Sequence, residues 1–450
     1  MKRLIKKAFL FLIIATTLMT FGNSIVSAES QIKVLYYGEP LKLSQAPVVE
    51  NNITLVPFKI IFEKLGYSIS YDALSKTVIG KKTDKEIKLT DKKIIAQVNN
   101  LDKKLVAAPQ IINGVLFVPL RFIIEESGMQ VGWYPEQKTI AIFGKESLFP
   151  VTRGEQSGYI NILGTEIISL RSEFSETSVF NEGLAFVYNK GKFAGFINQK
   201  GKMVVTNPSI YDAKAFSEGY SNFRIKSNGK FLNGYMDLSG NWVIKPQFTL
   251  AHQFSEGLAA VKLNGKYGYI NYKGDLLIKP QFDEAYEFND GLALVKSKNK
   301  YFYISKNGKK INSKEFDFAY SFQEGLAVVQ IGTKFGYINK SGDFVIPAIY
   351  DYAGSFSEGM AVVVTDNKNG YINQKGKVVI DIQFERSFAF SSGLASAVVN
   401  EKEGFIDKTG KWVISPKYSW VQPFMNGLSY VHDDNGELYI NKMGEEIWRQ

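Results

Sequence analysis

A repeat of 34 residues constrains this chain more than any other feature of its sequence. A glycine that follows an acidic or small polar residue recurs every 34 positions in the C-terminal half, and two less regular copies precede that series: Gly183, Gly219, Gly257, Gly291, Gly325, Gly359, Gly393 and Gly427. A fixed period of about 20 to 50 residues is typical of proteins built from stacked structural units. One unit cannot bury its apolar face alone, whereas stacked neighbours can. The sequence therefore predicts a repeat array in which these eight anchor glycines form structural turns.

The stretch from 254 to 288 shows what one unit contains. Three short runs of aromatic and aliphatic residues, at 258–261, 266–271 and 276–288, are separated by Asn264-Gly265 and by the stretch from Asn271 to Gly274. Asn-Gly is a strong hairpin signal because both residues readily take a positive φ. No window of the repeats keeps a helical apolar period over three turns. Each unit is therefore predicted to be a β-meander.

The second strand of the unit carries a recurring aromatic residue, found nine times: Tyr159, Phe196, Tyr235, Tyr269, Tyr303, Tyr337, Tyr371, Phe405 and Tyr439. There are thus nine second strands but only eight anchor glycines, so we expect a partial unit opening at Gly158 and another ending at Trp448. The predicted fold class is mainly β, an array of about eight 34-residue β-meander repeats preceded by a small α+β domain. A propeller-like ring and an open superhelical stack both fit this count, and we prefer the ring.

Residues 1–28 have the three parts of a secretory signal peptide. Four basic residues lie within the first seven positions, Ala8–Met19 is apolar, and Val26–Ala28 offers small residues for cleavage before Glu29. The alternative is a retained membrane anchor, but the apolar run is shorter than the roughly 20 residues that span a bilayer. We therefore expect a secreted protein with no transmembrane anchor after cleavage.

Composition narrows the compartment and the class of partner. The chain has no cysteine, and export without disulfides suits the cell surface of a Gram-positive-type bacterium. Its formal net charge is +10, and the four basic residues of the leader leave +6 for the rest. That charge is too mild for the basic stripe of a nucleic-acid-binding protein, although it would favour contact with anionic wall polymers. We expect an extracellular, cell-surface or cell-wall-associated protein that binds no nucleic acid.

Residues 31–144 form a separate domain with an internal duplication. Pro57 matches Pro119 and Gly66 matches Gly128, at an offset of 62 positions. Each half predicts a strand, a short helix and a strand, because proline suits the first helical turn and glycine suits the position just beyond the helix. Residues 145–157 are polar and lack a period. They are interpreted as a linker to the repeats at 158–450, and few contacts are expected to cross it.

The repeats resemble the WG repeat family of bacterial proteins, also called KWG repeats. The resemblance rests on EGLAAVKLNGKYGYINYKG at 256–274, GTKFGYINKSGDFVIPAIYD at 332–351 and EGFIDKTGKWVISPKY at 403–418. The tryptophan that names the family is replaced in these copies by Tyr267, Phe335 and Glu403. The resemblance implies a binding or scaffolding module and brings no catalytic residues with it.

The N-terminal domain resembles the N-terminal stalk domain of copper amine oxidases, which recurs as a stand-alone module in exported bacterial proteins. The matching text is APQIINGVLFVPLRFIIEESGMQVGWYPEQKTIAIF at 108–143. The resemblance implies a small α+β module that serves as a spacer or attachment unit. It implies neither copper nor amine oxidation, because these belong to a different domain of that enzyme.

The residue before the anchor glycine is acidic in six units: Glu182, Glu218, Glu256, Asp290, Glu324 and Glu358. These residues could form a carboxylate ring that binds cations or basic ligands. They could instead be turn residues beside a positive-φ glycine. The last two units have Ser392 and Asn426 at this position. Both are good turn formers, so the structural interpretation is favoured.

The aromatic residues also allow two interpretations. The recurring aromatic position could stack on sugar rings or fill the interior. Tyrosine and phenylalanine interchange there, which favours packing. The less regular aromatic residues are better candidates for an exposed binding surface: Tyr267, Tyr272, Tyr301, Trp412, Trp420 and Trp448.

The sequence contains no recognisable catalytic or metal-binding constellation. His252 and His432 are the only histidines, and His432-Asp433-Asp434 is interpreted as a solvated turn because a metal site needs converging ligands. No catalytic residue, metal or cofactor is predicted. We expect an exported, non-enzymatic protein whose repeats bind a cell-wall polymer or a surface protein. The alternatives are a protein-binding scaffold and a secreted carbohydrate-active hydrolase, which would need a carboxylate pair in one cleft.

Overall fold

The computed structural model of the protein describes residues 32–450, and the predicted signal peptide at 1–28 lies outside the described residues. The N-terminal domain has two short helices, α1 Phe58–Lys64 and α2 Leu120–Glu126. Its thirteen strands are β1 Lys33–Tyr36, β2 Glu39–Pro40, β3 Val48–Glu50, β4 Ile53–Pro57, β5 Ser68–Asp72, β6 Thr77–Lys82, β7 Lys85–Thr90, β8 Ile95–Val98, β9 Leu101–Lys104, β10 Gln110–Ile112, β11 Val115–Pro119, β12 Met129–Tyr134 and β13 Thr139–Gly144. They form three sheets, in the orders β12-β13-β1-β2, β10-β11-β4-β3 and β5-β6-β7-β8-β9.

The duplication seen in the sequence is visible in this domain. The succession β4-α1-β5-β6 recurs as β11-α2-β12-β13. Helix α2 begins directly after Pro119, and Gly128 (φ +75°) donates its N–H to the carbonyl oxygen of Glu125 at 3.0 Å. A glycine just past the helix end thus satisfies a terminal carbonyl, as expected for a C-terminal cap.

The repeats form nine successive antiparallel sheets, called blades 1 to 9. Complete blades have four strands, a to d in chain order. The strands are β14 Phe149–Arg153, β15 Gln156–Ile160 and β16 Glu166–Arg171 in blade 1; β17 Glu176–Thr177, β18 Leu184–Asn189, β19 Lys192–Asn198 and β20 Met203–Val205 in blade 2; β21 Asp212–Ala213, β22 Tyr220–Ser227, β23 Lys230–Asp237 and β24 Trp242–Phe248 in blade 3; β25 Leu250–Ala251, β26 Ala259–Leu263, β27 Lys266–Ile270 and β28 Leu276–Phe282 in blade 4; and β29 Glu284–Asn289, β30 Leu292–Ser297 and β31 Lys300–Ser305 in blade 5.

The remaining blades have all four strands. They are β32 Phe318–Ala319, β33 Ala327–Ile331, β34 Lys334–Ile338 and β35 Phe344–Tyr350 in blade 6; β36 Tyr352–Ala353, β37 Met360–Thr365, β38 Lys368–Asn373 and β39 Val378–Phe384 in blade 7; β40 Arg386–Ser387, β41 Ala395–Val399, β42 Lys402–Ile406 and β43 Trp412–Tyr418 in blade 8; and β44 Trp420–Val421, β45 Leu428–Asp433, β46 Gly436–Asn441 and β47 Glu446–Arg449 in blade 9. Blade 1 has no strand a and blade 5 has no strand d among the described residues.

The nine blades close into a ring, which decides between the two predicted architectures. Each blade shares an apolar core with the next. A ninth core joins blade 9 to blade 1, where Phe149, Val151 and Ile160 pack against Leu428 and Tyr439. Closure therefore depends on packing between the three-stranded blade 1 and the four-stranded blade 9, and not on a strand shared by both ends of the array. The blade 9–blade 1 boundary is called the seam.

The recurring aromatic position lies in these cores, as packing predicts. The tyrosines at this position are almost fully buried. In blades 3 to 7 each hydroxyl donates to a backbone carbonyl of the next blade, at 2.7 to 2.8 Å. At the seam Tyr439 donates to the carbonyl oxygen of Pro150 at 2.9 Å. The hydroxyl is thus an inter-blade contact wherever tyrosine is present.

A glycine in strand c lets strand d cross it closely. In blade 4, a Cβ atom added at Gly268 would lie under 3.0 Å from backbone atoms of Ile278 and Pro280. The same close approach occurs at Gly158, Gly195, Gly234, Gly336, Gly370 and Gly404. The register shifts at this point, since Tyr269 pairs with Ile278 whereas Tyr267 pairs with Phe282. Proline is tolerated in strand d because that strand is an edge, where it also discourages pairing with other chains.

The two blades without this glycine support that account. Blade 5 has Phe302 at this position and lacks strand d. Blade 9 has Leu438 at this position. There strand d keeps its register, since Tyr439 pairs with Trp448 and Leu438 pairs with Arg449. A side chain at this position therefore excludes the close crossing.

The segment predicted as a linker is mostly part of the ring, so the boundary at 145–157 was wrong. β14 begins at Phe149 and pairs with β15, so the array opens at blade 1 and not at Gly158. The expectation of few crossing contacts was also wrong. Strand β13 is buried on both faces: Ile140 and Ile142 lie in the core of the N-terminal domain, whereas Ala141, with its partner Leu35 of β1, lies in the core shared by blades 2 and 3.

Candidate functional site

One end of the ring carries the turns that the sequence singled out. The anchor turn precedes strand b and the c–d loop follows strand c. Because strands b and c are antiparallel, both connections lie at the same end of every blade. This end is called the anchor rim. The N-terminal domain packs on it at blades 2 and 3, where Gln137 donates to the carbonyl oxygen of Gly219 at 2.7 Å and Asn198 donates to that of Tyr37 at 2.8 Å.

Both central residues of the anchor turn have the left-handed conformation. The eight anchor glycines have φ between +79° and +101°, and the residues before them have φ between +51° and +56°. Two consecutive positive φ values match a type I′ turn, which ordinarily takes Asn-Gly. A glutamate in this conformation is strained by about 1–3 kcal/mol. Some other contact must therefore stabilise the acidic residue at this position.

That contact is a ladder of carboxylates that runs from blade to blade. Each acidic side chain accepts the backbone N–H of the next anchor glycine. The bonds run from Gly219 to Glu182, Gly257 to Glu218, Gly291 to Glu256, Gly325 to Asp290, Gly359 to Glu324 and Gly393 to Glu358, at 2.8 to 3.2 Å. An asparagine would suit the turn better, but the carboxylate reaches the neighbouring blade. The acids are therefore structural, and they are not a free carboxylate ring.

The c–d loop of the following blade reinforces the ladder. Lys306 lies 3.1 Å from the Glu256 carboxylate, and Lys408 lies 3.2 Å from that of Glu358. Tyr272 occupies the position equivalent to Lys306 and donates to Glu218 at 2.8 Å. Three of the six ladder carboxylates, those of Glu256, Asp290 and Glu358, thus have a lysine of the following blade within 4 Å, which leaves them little capacity for an external cation.

The ladder runs from Glu182 of blade 2 to Gly393 of blade 8, so it ends one blade boundary before the seam. Ser392 is too short to continue it, and its hydroxyl donates to the carbonyl oxygen of Phe424 within blade 9. The anchor turn of blade 1 is missing altogether. Residues Glu146 and Ser147 stand at the equivalent point before β14, yet neither has a positive φ, because the chain arrives there from the N-terminal domain. Nine blades are thus served by eight anchor turns.

A cavity of about 330 Å³ lies where the ninth turn would be. This seam cavity is lined by the turn segment Val179–Gly183 of blade 2, the segment Gln422–Leu428 of blade 9, the connecting segment Phe143–Pro150, and the side chains of Gln130 and Gln199. Gln199 is held in place, because it accepts from Gly144 N–H at 2.7 Å and donates to the Gly144 carbonyl at 3.1 Å. The cavity is therefore built by the ring and by the N-terminal domain together.

Glu182 at the wall of the cavity is a ladder residue with a perturbed acidity. Burial raises the pKa of its carboxyl from 4.5 to about 7, although the Gly219 N–H and Tyr134 act in the opposite direction. A raised pKa in the folded state means that the native protein binds the proton more tightly than the unfolded chain does. The stability from this group is fully present below pH 4.5 and is lost as the pH rises through about 7.

Glu182→Gln is expected to flatten the pH dependence of unfolding between pH 5 and pH 8. Glutamine keeps an oxygen for the Gly219 N–H and cannot ionise. We expect the drop in thermal midpoint between pH 5.5 and pH 8 to be smaller in the variant than in the parent protein. Glu358→Gln, which makes the same change at the equivalent ladder position of blade 7, is the matched control. An identical pH profile in parent and Glu182→Gln would show that this carboxyl does not titrate with folding.

The structure separates the six predicted exposed aromatics into three groups. Tyr267 and Tyr301 are only 8% and 7% exposed, so the prediction was wrong for them; they face strand a of the next blade, as Tyr301 does against Phe318 at 5.7 Å between ring centroids. Tyr272 and Trp448 are half-buried in the ladder and at the seam, where Arg153 lies over the Trp448 ring. Trp412 and Trp420 are exposed, at 36% and 44%, but they lie on different blades. The six therefore do not form one site.

The local histidine cluster has a structural role: His432 and Asp433 end strand β45, and Asp434 lies in the turn that follows. Asp433 pairs with Arg449 at 2.9 Å, which holds the pKa of Asp433 at about 2. His432 contacts Ser419 through Nδ1 at 2.8 Å. Within residues 32–450 no group of three histidine, cysteine or acidic side chains converges as a metal site would require. Over the same range no helix is long and apolar enough to cross a membrane.

One surface feature escaped the sequence reasoning. Strand d opens with two consecutive exposed apolar residues in five blades: Trp242-Val243, Leu276-Leu277, Phe344-Val345, Val378-Val379 and Trp412-Val413, each residue 36–55% exposed. A buried isoleucine follows each pair. These residues recur at the 34-residue period, so the signal was present. The sequence predicts a strand over such runs without specifying which residues are exposed, and of these ten residues only Trp412 was predicted as a candidate for the surface.

Comparison with solved structures shows the fold alone. A crystal structure of the eukaryotic initiation factor aligns with a TM-score of 0.50 at 12% identity, covering 67% of this chain and 95% of that chain. The β-propeller domain of the Trilobed protease from Pyrococcus furiosus aligns with a TM-score of 0.32 at 13% identity, covering 53% of this chain and 96% of that chain. No curated protein matches the chain in sequence.

Comparison with family models identifies both parts of the chain. The copper amine oxidase N-terminal domain matches residues 36–142. The WG containing repeat matches eight times, at 158–193, 195–231, 234–267, 267–301, 301–334, 335–368, 370–402 and 404–435. These repeats cover more than half of the chain, and they make it a repeat-based binding or scaffold protein. The chain belongs to the WG repeat family and carries a copper amine oxidase N-terminal domain ahead of its repeats.

Proposed function

We propose that the protein is exported and acts without catalysis as a surface or cell-wall-associated binding protein, with its ring contacting a cell-wall polymer at several equivalent points. The leader sequence and the absence of cysteine support export to a Gram-positive-type cell surface. The N-terminal domain would then fix or space the ring at that surface.

The repeated exposed apolar pairs carry this proposal. Five blades present the same two-residue feature at the start of strand d. Regularly spaced, individually weak contacts add up when the partner itself repeats. Exposed apolar and aromatic groups suit the C–H faces of sugar rings, and the net positive charge of the chain would add an attraction to anionic polymers that salt screens.

Sedimentation with purified cell walls tests the proposal. We expect the protein to pellet with walls at low salt and less so at high salt. The triple variant Leu277→Ser, Val345→Ser and Val413→Ser is expected to bind walls with an apparent affinity more than about tenfold lower than that of the parent. The reason is that the contributions of linked contacts to the affinity multiply. A matched triple variant, Leu74→Ser, Leu101→Ser and Val106→Ser, removes exposed apolar residues from the N-terminal domain and should pellet like the parent.

Two outcomes would contradict the polymer proposal. In the first, the protein stays in solution when mixed with walls at low salt but captures a secreted protein partner. That result would favour the protein-binding scaffold. The other is equal pelleting of the two triple variants, which would place the contact elsewhere.

A carbohydrate-active hydrolase is the second candidate, and one observation favours it. Glu146 and Glu182 both line the seam cavity, and glycosidases use two carboxyl groups across one cleft. We prefer binding because the Glu182 carboxylate already accepts the Gly219 N–H at 3.0 Å. Incubation with purified walls should release no new reducing ends. Release that Glu146→Gln abolishes would make the protein an enzyme.

A further inference from the structure

We infer that the seam cavity is a binding site for a single neutral saccharide unit. The inference rests on the proposed function. The cavity would add one specific contact to a wall glycan that the repeated exposed apolar pairs of the ring also bind. The seam is unique in the ring, so there is one such site in each molecule.

The position of the cavity follows from the topology. Blades 2 to 9 each have an anchor turn on the anchor rim, whereas in blade 1 the N-terminal domain delivers the chain straight into β14. The remaining space of about 330 Å³ lies at the lower end of the range for small-molecule sites. It is framed on three sides by segments that the fold holds in place, namely the turn of blade 2, the turn of blade 9 and the segment clamped by Gln199.

Carboxamides are the commonest kind of polar side chain in the lining of the cavity. Gln130, Asn181, Gln422 and Asn426 line it as solvent-exposed residues, and none of their side chains is hydrogen bonded to another residue in 32–450. A carboxamide both donates and accepts hydrogen bonds. Sugar hydroxyl and acetamido groups do the same, so these accessible carboxamides can complement a saccharide.

The remaining lining fits the same ligand class. Val179 and Met425 are exposed at the wall of the cavity and offer apolar surface to the C–H face of a sugar ring. Two carboxyl groups, of Glu146 and Glu182, and a single ammonium group, of Lys145, line the cavity, so it does not favour an anion. Glu182 is occupied by the ladder, so a cation gains little either. An uncharged ligand with many hydroxyl groups remains.

Calorimetric titration of the full-length protein with N,N′-diacetylchitobiose and with cellobiose tests the inference. We expect at least one of the two probes to bind with a stoichiometry of one. Asn181→Ala and Gln422→Ala should each weaken that binding by about fivefold or more, as expected for one lost hydrogen bond. Both side chains lack protein partners, so neither variant should lose stability. Gln323→Ala, at the turn position of blade 6 equivalent to Asn181, should bind like the parent.

Failure of this inference is distinguishable from failure of the proposed function. No binding of either probe, or equal binding by Asn181→Ala, Gln422→Ala and Gln323→Ala, overturns the saccharide site. If those variants still pellet with cell walls, the proposed wall binding stands without it. Loss of probe affinity together with retained thermal midpoints confirms that the seam cavity is the site.

Discussion

Gly268→Ala is expected to destabilise the protein by about 3 kcal/mol or more, although it adds one methyl group to a 450-residue chain. The added Cβ would lie under 3.0 Å from backbone atoms of strand d in blade 4. Backbone atoms cannot rotate away as a side chain does, so strand d must shift or detach. Detachment would expose Ile278 and Phe282, which belong to the core between blades 4 and 5. Urea unfolding followed by circular dichroism measures the loss.

Gly354→Ala is the matched control for that experiment. Gly354 has ordinary φ, and the nearest atoms to an added Cβ lie 3.8 Å away, an ordinary van der Waals contact. Replacing such a glycine restricts the unfolded chain. The free energy of unfolding is therefore expected to rise by between zero and about 1 kcal/mol. Equal stability of Gly268→Ala and Gly354→Ala would show that strand d does not cross strand c as described.

Ala141→Asp is expected to cost about 3–5 kcal/mol, because it buries a carboxylate without a partner. Ala141 lies in the core shared with blades 2 and 3, beside Leu35 and Leu184. Its neighbours Ile140 and Ile142 face the other core, so the N-terminal domain keeps its own packing. The expected result is a lower unfolding midpoint together with faster proteolysis in the segment at 145–157.

Ala73→Asp is the control for this substitution. Ala73 lies on an exposed turn of the same domain, and surface changes of this kind usually stay within about 0.5 kcal/mol. If both aspartate variants behave like the parent, the N-terminal domain is not packed into the ring, and the two parts fold independently as the sequence first indicated.

Local patterns predicted the unit of this fold well. The anchor glycines, the Asn264-Gly265 hairpin and the buried aromatic position follow from backbone stereochemistry and from period, both of which are local properties. The identity of both domains could also be predicted, since motif text such as KYGYINYKG at 266–274 carries it. These features need no knowledge of which segments meet in space.

Contacts between distant segments could not be predicted in the same way. The polar stretch at 145–157 resembles a linker by composition, yet residues 149–153 form the first strand because Phe149 and Val151 find a partner in blade 9. The acids before the anchor glycines look like turn residues, and only the arrangement of blades shows that each reaches the next turn. The seam cavity arises because blade 1 lacks an anchor turn, and no local residue pattern predicts such a cavity.

The central claim of this account is that nine blades close into a ring at the seam. The chain has no cysteine, so spin labels can be placed at introduced cysteines without background. Leu163, Thr409 and Met443 occupy the same exposed position of the c–d loop in blades 1, 8 and 9. Double electron–electron resonance should give the same distance for the pair Leu163→Cys and Met443→Cys across the seam as for Thr409→Cys and Met443→Cys in adjacent blades. A seam distance much longer than that of the adjacent pair would mean an open stack and would contradict the closed ring.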